Sequence, residues 1–325
     1  MAEVIELAPR EDEALTAFRA DVLMGLALAQ KAVPARYFYD RRGSELFEAI
    51  TDLPEYYPTR TEVGLLEDMR GELAELLPDD LALVEFGAGS LMKVGRLLET
   101  LSVAHYVPID ISGDFLRDCA ARIADQNRDV DVIPVEADFS NHVRLPQAIG
   151  DSPRLGFFPG STIGNLVPRD AVDLLRRMHG SLGLGSHLLI GLDRVKPLET
   201  LIAAYDDAAG VTAAFNLNLL DRIDRELDGT IDVGAFRHEA RWNEQAARIE
   251  MHLVAKRDIA FEVAGERFTM NQGESLHTEN SHKYGEISAT TLLRSGGWRP
   301  VRVWTDAEDR FFLILAEAIG DHIAP

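Results

Sequence analysis

Residues 81–110, LALVEFGAGSLMKVGRLLETLSVAHYVPID, constrain the fold more than any other part of this sequence. Residues 81–84 are a continuous apolar run, the pattern of a strand buried on both faces. Glu85-Phe86-Gly87-Ala88-Gly89 predicts a tight turn. Val94, Leu97, Leu98 and Leu101 then share one helical face, and residues 104–109 form a second apolar strand that ends in Asp110. Glycines in such a turn let a ligand approach the backbone closely. An acid at the end of the second strand can accept both hydroxyls of a ribose. The pattern points to nucleotide binding; the competing reading is a tight turn followed by a plain strand-end aspartate.

Residues 82–86, 104–109, 130–135, 154–158 and 186–192 read as strands, with helices between them, among them residues 169–182. This alternation predicts an α/β fold, a parallel sheet with helices on both faces. Ligands in such sheets bind outside the carboxyl ends of the strands. The Gly-rich segment 157–165, FFPGSTIGN, follows the fourth strand and is expected beside the ligand. Ahead of the sheet, residues 10–30 read as an amphipathic helix ended by Pro34. Pro58 suits a first helical turn, and residues 62–76 continue as one helix. Residues 37–60, YFYDRRGSELFEAITDLPEYYPTR, hold four tyrosines and two phenylalanines in a chain only 7% aromatic. Such a cluster is either core or the wall of a small-molecule pocket.

After Asp193 the pattern changes. Residues 197–227 read as two helices broken near Gly210, and residues 247–284 as an antiparallel meander with a turn at Gly265. This insertion is long enough for a second lobe. The sheet resumes with a helix at 287–295, a cap at Gly296-Gly297, and a hairpin of residues 301–304 with 311–316. The expected division is 1–60 as the N-terminal part of the second lobe, 61–195 as the nucleotide-binding domain, 196–286 as the inserted part of the lobe, and 287–325 as the end of the first domain.

A formal net charge of −21 argues against nucleic acid and against an anionic membrane as partners, because both need a basic surface. Cys119 is the single cysteine, so a reducing compartment fits. The acidic start, with Glu3, Glu6, Glu11, Asp12 and Glu13, carries no signal-peptide core. No run approaches the roughly 18 apolar residues of a membrane span. The expectation is a cytoplasmic monomer acting on a small molecule. No metal site is expected: His277, Glu279 and His282 lie close together, but 277 and 282 differ by an odd number and so point to opposite faces of a strand.

The glycine turn also narrows the nucleotide. A dinucleotide fingerprint needs a third glycine where Met92 stands, and no P-loop Gly-Lys-Ser/Thr follows. The acid-x-Gly-x-Gly turn, Asp110 after the second strand and Asp138-Phe139 after the third resemble, in that order, the motifs of S-adenosyl-L-methionine (SAM)-dependent methyltransferases. More specifically, YFYDRRGSELFEAITDLPEYYPTRTE, FFPGSTIGNL, AYDDAAGVTAAFNLNLL, IEMHL and HTENSHK resemble the histidine-specific N-alpha-methyltransferases of ergothioneine biosynthesis. The resemblance implies a Rossmann-like class I SAM-dependent methyltransferase sheet with a second, α+β substrate lobe. It implies SAM as cofactor and conversion of L-histidine to its trimethylated betaine, hercynine. Carried over by position, it implies cofactor binding by Gly87, Lys93, Asp110, Asp138, Phe139 and Tyr39, the last beside the transferred methyl. Asn165 and Tyr205 would grip the amino acid's amino and carboxylate ends. Tyr56, Glu279 and Ser281 would contact the imidazole, with Met251 against the ring. Tyr39 and Asn165 are the candidate catalytic residues. Two departures are visible: Asn280 stands where the family has an apolar residue, and the SLMKV turn is less polar than the family's.

Methyl transfer from a sulfonium needs orientation and a neutral nitrogen, not a metal or a covalent nucleophile. Tyrosine faces attract a quaternary ammonium, which gives Tyr39, Tyr56 and Tyr57 a reason to cluster. Glu279 and Ser281 are two apart on an expected strand and share a face. A carboxylate accepts an imidazole N–H, and a hydroxyl gives or takes the other bond. An apolar side chain would leave Glu279 unpaired, at a cost of about 1–3 kcal/mol. The rival readings are the same chemistry on tryptophan, on tyrosine or on a ring nitrogen of histidine, and a non-catalytic SAM- or amino-acid-binding subunit.

Overall fold

A computed structural model describes residues 5–6, 11–88, 91–111 and 113–320. Gly89 of the expected turn and Glu3 lie outside the described residues. The chain forms two compact units, divided at 8/9, 57/58, 195/196 and 283/284; the sequence placed its divisions at 60/61, 195/196 and 286/287 and foresaw none near residue 8. Tyr284 falls in the first unit because its N–H donates to the Asp193 carbonyl at 2.8 Å.

In the first unit the strand Leu81–Phe86 is buried along its whole length. It pairs in parallel with Val103–Asp110 on one side and Arg154–Phe158 on the other. Among the described residues the sheet has nine strands. Its order runs Ile5–Glu6, Val135–Glu136, Val103–Asp110, Leu81–Phe86, Arg154–Phe158, His187–Asp193, Phe311–Ala318, Trp298–Thr305, and the ninth, Asp131–Val132, also pairs with Val103–Asp110. Phe311–Ala318 pairs antiparallel with both of its neighbours, so it alone of these strands runs against the rest. Strand order reverses between Leu81–Phe86 and Arg154–Phe158, which makes a crevice at their carboxyl ends. Alternate residues feed two cores. Ala82, Val84 and Phe86 meet Leu174, Leu175 and Met178; Leu81 and Leu83 meet Leu65, Leu73 and Leu97. This is the period-2 alternation of a strand covered on both faces.

Two expectations need correction here. The third strand, expected at 130–135, is split into Asp131–Val132 and Val135–Glu136. Pro134 sits in the gap and has no N–H for the ladder. The single helix expected at 62–76 is two, Tyr57–Asp68 and Arg70–Leu76.

The second unit has a four-stranded sheet in the order Lys31–Ala32, Ser275–His282, Arg248–Ala255, Phe236–Asn243. Helices Glu11–Leu26, Arg41–Thr51, Leu198–Tyr205 and Val211–Glu226 belong to the same unit. Its core holds Phe18, Phe38, Phe215, Leu219, Met251 and Leu253. Asp207 caps Val211–Glu226: its carboxylate accepts the N–H groups of Val211 and Thr212 at 3.0 and 2.7 Å. Burial would raise this carboxyl, but those bonds hold it below its ordinary value.

The expected meander is absent among the described residues. Ile259–Val263 and Glu266–Met270 form a separate hairpin. Ser275–His282 returns to pair with Arg248–Ala255, whose other edge takes Phe236–Asn243, a strand not foreseen. The register of Ser275–His282 also shifts by one residue between Met251 and His252. His277 therefore lies opposite His252, and His282 opposite Arg248, so both histidines share a face. The opposite-face expectation assumed unbroken alternation, and the bulge removes it.

Candidate active site

In the first unit the glycine turn is fixed by backbone geometry. Gly87 has φ +79°, a conformation that costs a side chain energy. Its N–H and that of Ala88 donate to the Ile109 carbonyl at 2.9 and 3.1 Å, which ties the turn to the strand ending at Asp110. The Phe139 ring stands 3.4 Å from where a Gly87 Cβ would be, and it meets Phe158 edge-on at 5.9 Å. Asp138 closes its own turn. It accepts the Ser140 N–H at 2.8 Å and the Asn141 side chain at 3.2 Å.

Lys93 is buried and pairs with Glu62 at 2.7 Å. Glu62 is fully buried, and both its oxygens accept the Gly160 N–H, at 3.1 and 2.8 Å. One carboxylate therefore joins the Lys93 helix to the loop after the fourth strand. Gly160 has φ +78°, and a Cβ there would stand 3.4 Å from Lys93 Nζ. Ser161 follows with φ +57°, and its Oγ accepts the Asp193 N–H at 2.9 Å. The turn Thr162–Asn165 then leaves Asn165 half-buried.

Below the glycine turn, Glu85 is buried and accepts the Tyr106 hydroxyl at 2.5 Å. Burial pushes its carboxyl up to about 8, against the pull of that bond. It is a neutral acid at pH 7 and leaves no buried negative charge under the turn.

These residues fit SAM. Gly87 and Gly160 carry no side chain to block a ligand, the Phe139 ring is a flat apolar surface suited to a purine, an aspartate at the strand end suits a ribose diol, and the Lys93 ammonium suits a carboxylate.

In the second unit the aromatic stretch forms a connected wall. Tyr39 meets Phe47 at 5.7 Å, Phe47 meets Tyr56 at 6.3 Å, and Tyr56 meets Tyr205 at 6.3 Å, all edge-on. Asp40, next to Tyr39, fixes the wall's start. It accepts Gly43 N–H at 2.7 Å, Asn218 at 2.9 Å and Arg225 at 2.6 Å. Tyr205 Oη lies 2.6 Å from Ser281 Oγ. Ser281 lies opposite Ile249, and Glu279 opposite Met251, so Glu279, Ser281 and Met251 share one sheet face. The sequence put Tyr205 and Ser281 at opposite ends of the substrate; their hydroxyls meet in one polar cluster. Tyr57 leaves the aromatic set: its ring is buried, carries Lys196 Nζ at 4.2 Å, and its hydroxyl accepts from that amine at 2.7 Å.

Sequence reasoning passed over Phe47, Glu62 and Lys283. Glu62 stands in the quoted PTRTE segment, but nothing in its local pattern marks a buried carboxylate. Lys283 closes HTENSHK and donates to both Ser281 and Tyr205. The opposite sheet face gathers Glu250, His252 and His277, whose ligand atoms lie within 4.8 Å of one another. The two rings stack at 4.9 Å and 16°, so their in-plane lone pairs cannot converge on one ion. Glu250 is bonded to Asn243, Arg248 and His252. Burial opposes its ionisation, yet those bonds hold its carboxyl at about 2. Among the described residues no helix is long and apolar enough to cross a membrane.

A family model for the histidine-specific, SAM-dependent methyltransferases matches residues 18–318. The chain is 40% identical over 311 residues to the histidine N-alpha-methyltransferase of Mycolicibacterium smegmatis, covering 94% of this chain and 96% of that one. It is 40% identical over 313 residues to the enzyme of the same name from Mycobacterium tuberculosis, with the same coverage. At 26% identity over 311 residues it also matches the 4-dimethylallyltryptophan N-methyltransferase of Claviceps purpurea, covering 88% of this chain and 90% of that one. The chain belongs to the family of histidine-specific, SAM-dependent methyltransferases.

Proposed function

We propose that this protein methylates the α-amino nitrogen of L-histidine to hercynine, as a cytoplasmic, monomeric step of ergothioneine biosynthesis. The observation that carries the reading is the single sheet face bearing Glu279, Ser281 and Met251, with the Tyr205 hydroxyl on Ser281 and the aromatic wall from Tyr56 to Tyr39 beyond it. A carboxylate and a hydroxyl two residues apart suit the two nitrogens of an imidazole, and Met251 gives its ring an apolar floor. The ring faces of Tyr39 and Tyr56 would attract the growing ammonium.

In the first unit, Gly87, Asp138 and Phe139 take the adenine side, Asp110 the ribose and Lys93 the carboxylate of the cofactor. Bound SAM supplies the sulfonium methyl. Asn165 holds the amino-acid end of the substrate, while the Tyr205 hydroxyl joins Ser281 on the ring side. Tyr39, expected beside the methyl, orients the amine, whose proton must leave before each transfer because an ammonium has no lone pair.

The second unit's polar cluster also favours histidine over the nearest rival. A relative 26% identical is named for an indole substrate, 4-dimethylallyltryptophan. An indole offers one N–H and no ring acceptor, so it would leave Ser281 or Glu279 without its partner. The test is mass spectrometry of products from SAM and each of the 20 amino acids, then kcat/KM for histidine, tryptophan and phenylalanine in Glu279→Ala and in Glu279→Ala with Met251→Val. Histidine alone should gain methyl groups in the parent enzyme. Its preference should collapse by tenfold or more in Glu279→Ala, and further in the double variant. An undiminished histidine preference would place imidazole recognition elsewhere.

A further inference from the structure

Lys283 closes the HTENSHK motif but has no role in the sequence reading, and its surroundings give it one. It follows Ser281 by two and is 3% exposed. Its Nζ donates to Ser281 Oγ at 2.7 Å and to Tyr205 Oη at 2.9 Å. Those two oxygens are 2.6 Å apart. An ammonium only donates, so it occupies a lone pair on each hydroxyl. Either hydroxyl can donate in that bond; the phenol is the stronger acid of the two, which favours Tyr205 as the donor to Ser281. Ser281 Oγ then accepts twice, and its own hydrogen points elsewhere. Glu279, on the same sheet face, only accepts when ionised.

We propose that Lys283 is a positioning residue that holds Ser281 as a hydrogen-bond donor, and so makes the pocket select a neutral imidazole over an imidazolium. A neutral imidazole offers one N–H, for Glu279, and one lone pair, for Ser281. An imidazolium offers two N–H groups. One of them would face the Ser281 hydrogen with the Lys283 charge directly behind it. The inference rests on the assignment of Glu279 and Ser281 to the ring side of the substrate. The titratable groups around Ser281 are Tyr205 from its helix, with His238 bonded to the Tyr205 carbonyl, Glu279 and Lys283 from its own strand, and Tyr56 beside the Tyr205 ring. The adjoining strand sets Ile249 against Ser281 and Met251 against Glu279, neither of which titrates. Glu250, His252 and His277 lie on the opposite face.

The experiment compares histidine with 1,2,4-triazolylalanine, a similarly shaped amino acid whose ring stays neutral across the assay range. The ratio of the two kcat/KM values cancels the amine and Glu279, which serve both substrates, and reports the ring alone. In the parent enzyme the ratio should fall about tenfold from roughly pH 7.5 to 5.5, as a ring with pKa about 6.5 takes its proton. Lys283→Met should raise KM for histidine and flatten the fall to about threefold or less, with the affinity for S-adenosylhomocysteine unchanged by calorimetry. Lys283→Arg should restore the slope. Tyr205→Phe, which returns a lone pair to Ser281, should flatten it as well, and stands in if Lys283→Met does not fold. A flat ratio in the parent enzyme, or a full slope in Lys283→Met or in its stand-in, overturns the inference. If Ser281→Ala instead keeps its histidine preference, the ring-side assignment has failed; a lost preference there with a full slope in Lys283→Met places the failure on Lys283 alone.

Discussion

Replacing Glu62 should uncouple Lys93 from the Gly160 loop, and the structure sets the size of the effect. The side chains of Glu62 and Lys93 are 0% and 8% exposed and pair at 2.7 Å, while the Gly160 N–H has both Glu62 oxygens as acceptors. Glu62→Ala leaves an ammonium and an amide N–H buried together. Breaking a buried pair costs about 3–5 kcal/mol, and an abandoned N–H about 1–3, with the two overlapping because they share one carboxylate. A loss of about 4–5 kcal/mol is the expectation for Ala. Glu62→Gln keeps an acceptor for Gly160 but not the charge, and should lose about 2–3. Urea titration of both variants measures this. Calorimetry with S-adenosylhomocysteine gives the second readout: the released Lys93 should weaken binding at least tenfold in Gln, about 1.4 kcal/mol. Space is also limiting, since a Gly191 Cβ would lie 2.0 Å from Glu62 Oε1, so the carboxylate cannot swing toward that strand. If Glu62→Gln unfolds at the parent's urea midpoint and binds the cofactor product with the parent's affinity, the coupling described here does not operate.

Asp110→Ala should weaken cofactor binding at least tenfold, about 1.4 kcal/mol, while the protein stays folded, because the residue ends a strand rather than filling its core; unchanged affinity by calorimetry would remove it from the ribose. Glu85 keeps its proton to about pH 8 in the folded chain but loses it near pH 4.3 when unfolded, so its stabilising contribution is complete below about 4.3 and is lost as pH rises toward 8. Glu85→Gln should remove that slope, and the parent-minus-variant unfolding free energy should fall by roughly 2–3 kcal/mol between about pH 5.5 and 7.5, where parallel curves would refute a buried neutral acid.

Local pattern told most about the first unit. Residues 81–110 announce their strand, turn, helix and acid because a strand buried on both faces is apolar throughout. Pattern told less where function bends it. Phe236–Asn243 is an edge strand of mostly half-buried polar residues, so it shows no apolar alternation and was missed. The one-residue shift at Met251/His252 is invisible to period-2 counting, and it decides which histidines share a face. Glu279 and Ser281 escaped that error only because both lie on the same side of the shift. The positions expected at the site came from motif resemblance. Glu62 and Lys283, whose roles depend on burial and on partners far along the chain, needed the structure.

The second unit is built from two stretches that the ribosome delivers far apart in time. Lys31–Ala32 finds its strand partners at Leu276 and His277, and Gln30 bonds Ser275 across 245 residues. At synthesis rates of roughly 5–20 residues per second, the first stretch emerges about 12–50 seconds before its partners exist. For most of that interval Phe18, Val22 and Phe38 have no Phe215 or Leu219 to cover them. The parallel strands of the first unit can pair meanwhile, since Leu81–Phe86, Val103–Asp110 and Arg154–Phe158 follow one another closely. The second unit therefore cannot close until the strand Ser275–His282 has been made, and its early N-terminal segment is the part with most need of a chaperone.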